Sequence, residues 1–288
     1  PAAEYFDEKA RRMLEEGGRI STPGLALEEA MNDLDMGEDD ELKLVFQTLD
    51  VSEAKRKDYL ELEAKKRARA LKRFAWKDKK ITLRPGECRK TRNPRNFRFM
   101  HLERPELAKT ADKGVWYGKL PSGNGYVYYG SVSGTSRAGL DEALTALADC
   151  PGLVLDMRWN GGGGESGVGA FDKKDGCWAK PVAVLVGPKT FSAGETEVWA
   201  LRLMREARQC DVRTFGRRTA GASGSKIRFK LPSGFAEGRF VYRHWRGGRS
   251  TIEGIGIEPD EVVLQDVVEL SLGIDSCLAR AEAWLAES

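Results

Sequence analysis

Two short runs, Leu153–Arg158 and Val182–Val186, are apolar at nearly every position rather than at every second one. A strand with that pattern is buried on both faces, as in a parallel sheet covered by helices on each side. The amphipathic segment Ser136–Asp149 precedes the first run, with Leu140, Ala143, Leu144 and Leu147 on one helical face, and Pro151-Gly152 ends it. Tyr126–Val132 and Val212–Phe215 read as further strands, and Ser192–Arg208 as a second helix. Strands alternating with helices in this way predict an α/β fold with a mainly parallel sheet. Lys226–Leu231 and Arg239–Trp245 alternate in polarity and flank Pro232-Ser233-Gly234, which predicts a β-hairpin. Asp275 suits the cap of a last helix running to about Ala286.

This core takes in residues 119–288. Residues 1–80 read as a charged, mainly helical region, with helices expected over Tyr5–Glu16, Leu25–Leu34 and Lys55–Phe74. Residues 81–118 carry Pro85, Pro94 and Pro105 and read as an irregular connection with a short strand near Phe97–His101. The basic stretch 55–90 reads as a solvated helix face rather than a nucleic-acid surface, because a net charge of +3 on the whole chain is close to balance. No stretch of 18 apolar residues is present, so no transmembrane helix is expected.

Metal chemistry finds little support. The five cysteines, Cys88, Cys150, Cys177, Cys210 and Cys277, form no Cys-x-x-Cys pair, so no zinc site is expected. Asp33-x-Asp35 and Asp50-x-Ser52 begin like calcium loops. The first has Leu44 where a bidentate glutamate belongs, and the second has Lys55 where the turn needs glycine. Neither a metal nor an organic cofactor is expected.

The chemistry concentrates at two strand ends. Asn160-Gly161-Gly162-Gly163-Gly164 follows the first apolar run, and Thr190-Phe191-Ser192-Ala193-Gly194-Glu195 follows the second. A serine between a strand and a helix is presented with free backbone N–H groups beside it, as a nucleophile requires. Glycines at a strand end let backbone N–H groups approach a reacting carbonyl. Gly162 or Gly163 is therefore one candidate oxyanion donor, and Ala193, at a helix N-terminus, is the other. The glycines do not form a phosphate loop, since Gly164 is followed by Glu165 and Ser166 rather than Lys-Ser/Thr.

Four strings in order carry a resemblance: Leu155–Gly163, Thr190–Glu195, Gly216-Arg217-Arg218-Thr219-Ala220-Gly221 and Gly254-Ile255-Gly256-Ile257-Glu258-Pro259-Asp260. Together they resemble the C-terminal-processing (tail-specific) serine peptidases over about residues 115–288. The resemblance implies a ClpP/crotonase-like αβ spiral, Ser192 as nucleophile and Gly162 or Gly163 with Ala193 as oxyanion hole. It implies supporting positions at Asn160, Glu195 and Thr219, a peptide or protein substrate, and, by analogy, a periplasmic or secreted setting. Oligomeric state stays open. The family's Ser–Lys branch places its lysine directly after the second glycine of the third string, where this chain has Ala222. The chain is in this respect closer to the tricorn-core-like branch, which takes a histidine base from upstream and a glutamate that Glu253 matches. His101 is the upstream candidate and His244 the only other histidine. A base preceding Pro1 and a catalytically inactive ligand- or peptide-binding protein are the remaining alternatives. No PDZ-type substrate-binding loop is recognisable in residues 1–118.

Overall fold

The computed structural model describes residues 42–49, 76–83, 107–110, 114–164, 168–172, 174, 178–230, 237–244, 246–247, 250–266, 269 and 274–288. The chain divides into two compact units. One comprises Pro1–Met31, Pro105–Leu264 and Cys277–Ser288, and the other Asn32–Arg104 and Gln265–Ser276.

In the second unit, β1 (Leu42–Leu49) and β2 (Trp76–Leu83) pair antiparallel, from Leu42 opposite Leu83 to Leu49 opposite Trp76. Both strands begin within the region that reads as mainly helical, at places where none of the expected helices falls. Leu42, Leu44 and Phe46 alternate with Lys43, Val45 and Gln47, and Ile81-Thr82-Leu83 is β-branched in two of three positions, a composition that favours extended chain. The expected helices 5–16, 25–34 and 55–74 and the strand 97–101 lie outside the described residues.

The first unit holds a seven-stranded sheet. Its elements are β3 (Ala108–Lys109), β4 (Val115–Lys119), β5 (Gly125–Tyr129), α1 (Gly134–Ala146), β6 (Leu153–Asp156), β7 (Val182–Val186), α2 (Ala193–Glu206), β8 (Val212–Gly216), β9 (Gly224–Lys230), β10 (Glu237–His244), β11 (Arg246–Gly247), β12 (Ser250–Thr251), β13 (Glu261–Val262) and α3 (Ser276–Glu287). The sheet order is β13-β8-β7-β6-β5-β4-β3. β5, β6, β7, β8 and β13 run parallel, while β4 and β3 join antiparallel at one edge. The sheet therefore starts inside the stretch that reads as irregular, because Val115-Trp116-Tyr117 is itself a good strand sequence. β9 and β10 form the expected antiparallel pair, with an irregular register between Val241 and Arg243.

Period-two alternation sorts the side chains of these strands onto two faces. Val127, Tyr129, Leu153, Leu155, Val182, Val184, Val186 and Val212 lie in one core with Leu140, Ala143, Leu144 and Leu147 of the α1 region and Val198 and Leu201 of α2. Tyr126, Tyr128, Val154, Ala183, Leu185 and Phe215 lie in the other, with Cys277, Leu278, Ala281 and Leu285 of α3. The continuous apolar runs are thus explained by burial on both faces. α1 begins two residues before the expected start because Ser133 and Ser136 form a reciprocal capping box.

Parallel strands that end along one edge of the sheet bring their following turns together there. The strands β5, β6 and β7 deliver three such turns: Gly130–Ser133, Met157–Gly164 and Gly187–Ser192. The core beneath them is tightly filled, and Leu155, at the centre of β6, is 1% exposed. Leu155→Ala is expected to lower the unfolding free energy by about 2–5 kcal/mol, measured by urea denaturation.

Candidate active site

The turn after β7 presents Ser192 in an uncommon backbone conformation, φ 54° and ψ −122°. A side chain in this region costs about 1–3 kcal/mol and persists only where the surroundings over-determine it. The serine occupies the N-cap position of α2, yet its hydroxyl makes no capping hydrogen bond. A serine there for helix capping alone would have extended backbone angles and a bonded hydroxyl. The turn is anchored from below by Thr190, which is fully buried. Its hydroxyl donates to the Met157 carbonyl at 2.8 Å and accepts from Gly187 N–H at 3.0 Å.

The glycine loop after β6 is shaped by Asn160, also fully buried. Its Nδ2 donates to the Tyr129 carbonyl at 2.8 Å, and its Oδ1 accepts from Gly162 N–H at 2.9 Å. Its own carbonyl accepts from Phe191 N–H at 2.9 Å. One residue therefore ties the end of β5, the glycine loop and the serine turn together. Gly162 has φ 83°, and a Cβ there would stand 2.7 Å from Ser192 Cβ and 2.9 Å from Ala193 N, so only glycine admits this approach.

The same bonds decide which glycine keeps a free donor. Gly162 N–H is engaged by Asn160. Gly162 C=O accepts from Val132 N–H at 2.9 Å, and Gly164 N–H donates to Val132 C=O at 2.7 Å. This is a one-residue parallel bridge between Val132 and Gly163, and it turns the Gly163 N–H to the side away from Val132. Among the described residues, no partner is assigned to Gly163 N–H or Ala193 N–H. Ala193 N–H also begins α2, where the helix dipole favours negative charge.

Glu195, fully buried in the first turn of α2, joins the serine turn to the loop after β8. Its carboxylate accepts from Thr219 Oγ1 at 2.6 Å, Gly221 N–H at 2.7 Å and Ala222 N–H at 2.9 Å. Thr219 Oγ1 in turn accepts from Ile257 N–H at 2.7 Å, and Gly254 N–H donates to Gly221 C=O at 2.7 Å. The turn carrying half-buried Glu253 is thereby attached to the same loop. Burial raises the Glu195 carboxyl above the ordinary glutamate range, outweighing the hydrogen bonds from Thr219, Gly221 and Ala222 that pull it down.

Ser192, Ala193, Gly162, Gly163, Asn160, Glu195 and Thr219 are thus assembled from three turns, and the turn carrying Glu253 is bonded to their periphery through Gly254. His101 lies outside the described residues. His244 ends β10, with its backbone opposite Gly224, and its side chain is not described. Ala222, at the position of the Ser–Lys branch's lysine, offers no proton acceptor. Sequence reasoning missed Thr190, Thr196 and Ser223. Their hydroxyls bond backbone carbonyls, and a hydroxyl residue in a loop carries no sequence signal for that. No group of three or more His, Cys, Asp or Glu side chains is arranged to hold a metal among the described residues.

The architecture is that of a ClpP/crotonase-like core with a strand-end serine facing a glycine loop. A candidate peptidase from Parabacteroides merdae superposes with a TM-score of 0.52 and 26% identity, covering 66% of this chain and 68% of that chain. Mature CPAF complexed with lactacystin superposes with a TM-score of 0.50 and 10% identity, covering 96% of this chain and 90% of that one. The photosystem II D1 C-terminal processing protease gives a TM-score of 0.42 at 20% identity, covering 69% of this chain and 57% of that chain. A comparison with curated protein sequences finds no match. Residues 165–263 match the model of peptidase family S41. Over these residues, about a third of its length, the chain is similar to peptidase family S41.

Asn160→Ala strips the Gly162 N–H and Tyr129 C=O of their partner and is expected to cost about 1–3 kcal/mol for each buried group left unpaired. Denaturant titration measures this. For Glu195, a folded value above the unfolded one means that the folded chain binds the proton more readily. Its contribution to stability is full below the unfolded value and is lost as pH rises through the raised folded value. Wild type is therefore expected to lose stability relative to Glu195→Gln as pH rises through that window, read from unfolding midpoints across pH.

Proposed function

We propose that this chain is a serine-type endopeptidase that hydrolyses peptide bonds through an acyl-enzyme on Ser192. The match of residues 165–263 to peptidase family S41 supports peptide-bond hydrolysis as the reaction class and a peptide or protein as substrate. The observation that carries the finer reading is the pairing of an uncapped, positive-φ Ser192 with two backbone donors, Gly163 N–H and Ala193 N–H, that are unengaged among the described residues.

In this reading, Ser192 Oγ attacks the scissile carbonyl and its proton passes to a base. The carbonyl oxygen becomes an oxyanion held by Gly163 N–H and Ala193 N–H. The tetrahedral adduct expels the amine, which takes up the proton, and water then releases the acyl group by the same steps in reverse. Donors of this kind are typically worth about 10²–10³ in rate each. Gly162 serves by close packing rather than by donating.

Ala222 stands where the Ser–Lys branch has its lysine, which favours the tricorn-like arrangement, in which an upstream histidine is the base and a glutamate matched by Glu253 assists it. His101 is the candidate histidine of this chain. The same observation motivates the second reading, a protein that binds a peptide in an S41 cleft without cleaving it.

A fluorophosphonate that forms an adduct with activated serines separates the two. Wild type is expected to gain one adduct, located on Ser192 by peptide mass spectrometry, and Ser192→Ala to gain none. Peptide hydrolysis by Ser192→Ala should fall to background. Binding of a peptide with neither adduct nor hydrolysis would favour the non-catalytic reading. His101→Ala is expected to lower the labelling rate by about 10²-fold or more if His101 is the base.

A further inference from the structure

We propose that Ser223 is a positioning residue that orients the Ala193 N–H of the oxyanion hole by holding the carbonyl on the other end of the same peptide unit. The inference rests on the reading of Ser192 as nucleophile and adds to it a residue outside the serine turn and the glycine loop.

The Ser192–Ala193 peptide carries the Ser192 C=O at one end and the Ala193 N–H at the other. A trans peptide is planar, so these two groups point in opposite directions, and fixing one aims the other. The Ser192 carbonyl accepts from Glu195 N–H at 3.0 Å and Thr196 N–H at 3.3 Å, the ordinary bonds of a helix start. It also accepts from the Thr196 hydroxyl at 3.5 Å and from the Ser223 hydroxyl at 3.3 Å. The Thr196 and Ser223 hydroxyls are themselves 3.3 Å apart. Of these contacts, only the one from Ser223 comes from outside α2 and its cap.

The geometry gives this bond leverage. Ser223 is 3% exposed, so water competes little for its hydroxyl. Its loop cannot drift, because Gly221 N–H and Ala222 N–H are both held by the Glu195 carboxylate. Glu195 thus draws the loop onto α2, and Ser223 reaches back to the carbonyl three residues earlier. The peptide plane it touches is the one that follows the positive-φ residue, whose strained backbone persists only where outside contacts hold it. A donor on the carbonyl also polarises the peptide and strengthens the N–H at its far end. The loop that carries a lysine in the Ser–Lys branch here carries Ala222-Ser223, and its contribution becomes orientation of the donor rather than proton transfer.

The test uses saturating fluorophosphonate kinetics, which separate KI from the maximal inactivation rate kinact. Ser223→Cys keeps the size but replaces a strong donor with a weak one, and Ser223→Thr keeps the hydroxyl. Ser223→Cys and Ser223→Ala are expected to lower kinact about 10- to 100-fold at unchanged KI and unchanged labelling stoichiometry. Ser223→Thr should restore kinact to near the wild-type value. A loss of labelling stoichiometry with kinact unchanged would mean that Ser223 only supports folding, and overturns the proposal. Equal kinact in wild type and Ser223→Cys, or no recovery in a folded Ser223→Thr, overturns it while leaving Ser192 as nucleophile. Wild type that labels no faster than Ser192→Ala removes the nucleophile reading, and this proposal with it.

Discussion

The carboxamide and backbone of Asn160 hold together three turns that no local sequence interaction would bring into contact. Its Nδ2 takes the end of β5, its Oδ1 the glycine loop and its carbonyl the approach to Ser192. An amide suits this place because it offers a donor and an acceptor in one plane. Aspartate would place a charge in a fully buried position, and alanine would leave buried partners unsatisfied. Because Asn160 consumes the Gly162 N–H, it also selects Gly163 as the unengaged glycine donor. The spacing between serine turn and glycine loop then follows from a single side chain and from the absence of a Cβ at Gly162.

A second latch joins the serine turn to the loop after β8. Glu195 lies in the first turn of α2, where the dipole favours its charge, but the site is fully buried and its carboxyl is raised. It remains tightly bonded because the 219–222 loop has backbone N–H groups that would otherwise be orphaned. Thr219 passes the connection on to Ile257, so the loop before β13 is tied to the serine turn through two hydrogen bonds. These contacts over-determine the backbone around Ser192. That over-determination is the condition under which a non-glycine residue keeps φ 54°.

Much of the fold was legible. The continuous apolar runs 153–158 and 182–186 foretold strands buried on both faces, and Leu140, Ala143, Leu144 and Leu147 foretold which side of α1 packs. β1 and β2 were not foreseen within or beside a region that reads as mainly helical, since their alternation is short and the surrounding chain is rich in Lys and Glu. The sheet's antiparallel edge was missed because β3 is only two residues long and strand pairing is a property of the partner as well as of the strand. Of the site, Ser192, Ala193 and the glycines stood out because their chemistry depends on strand ends. Ser223 and Thr190 did not, because their role is to bond a carbonyl that is distant in sequence.

By itself, the sequence determined a covered parallel sheet, a serine at a strand–helix junction and a glycine run at the neighbouring strand end. Side-chain period and glycine content express those features locally. Only the tertiary structure decided that Gly163 rather than Gly162 keeps its N–H unengaged, that Ser192 does not cap its helix, and that Ala222-Ser223 lies against the serine turn. Those outcomes depend on which carbonyl meets which donor across loops some thirty residues apart, and hydrogen-bond partners at that distance are set by packing, not by neighbouring residues.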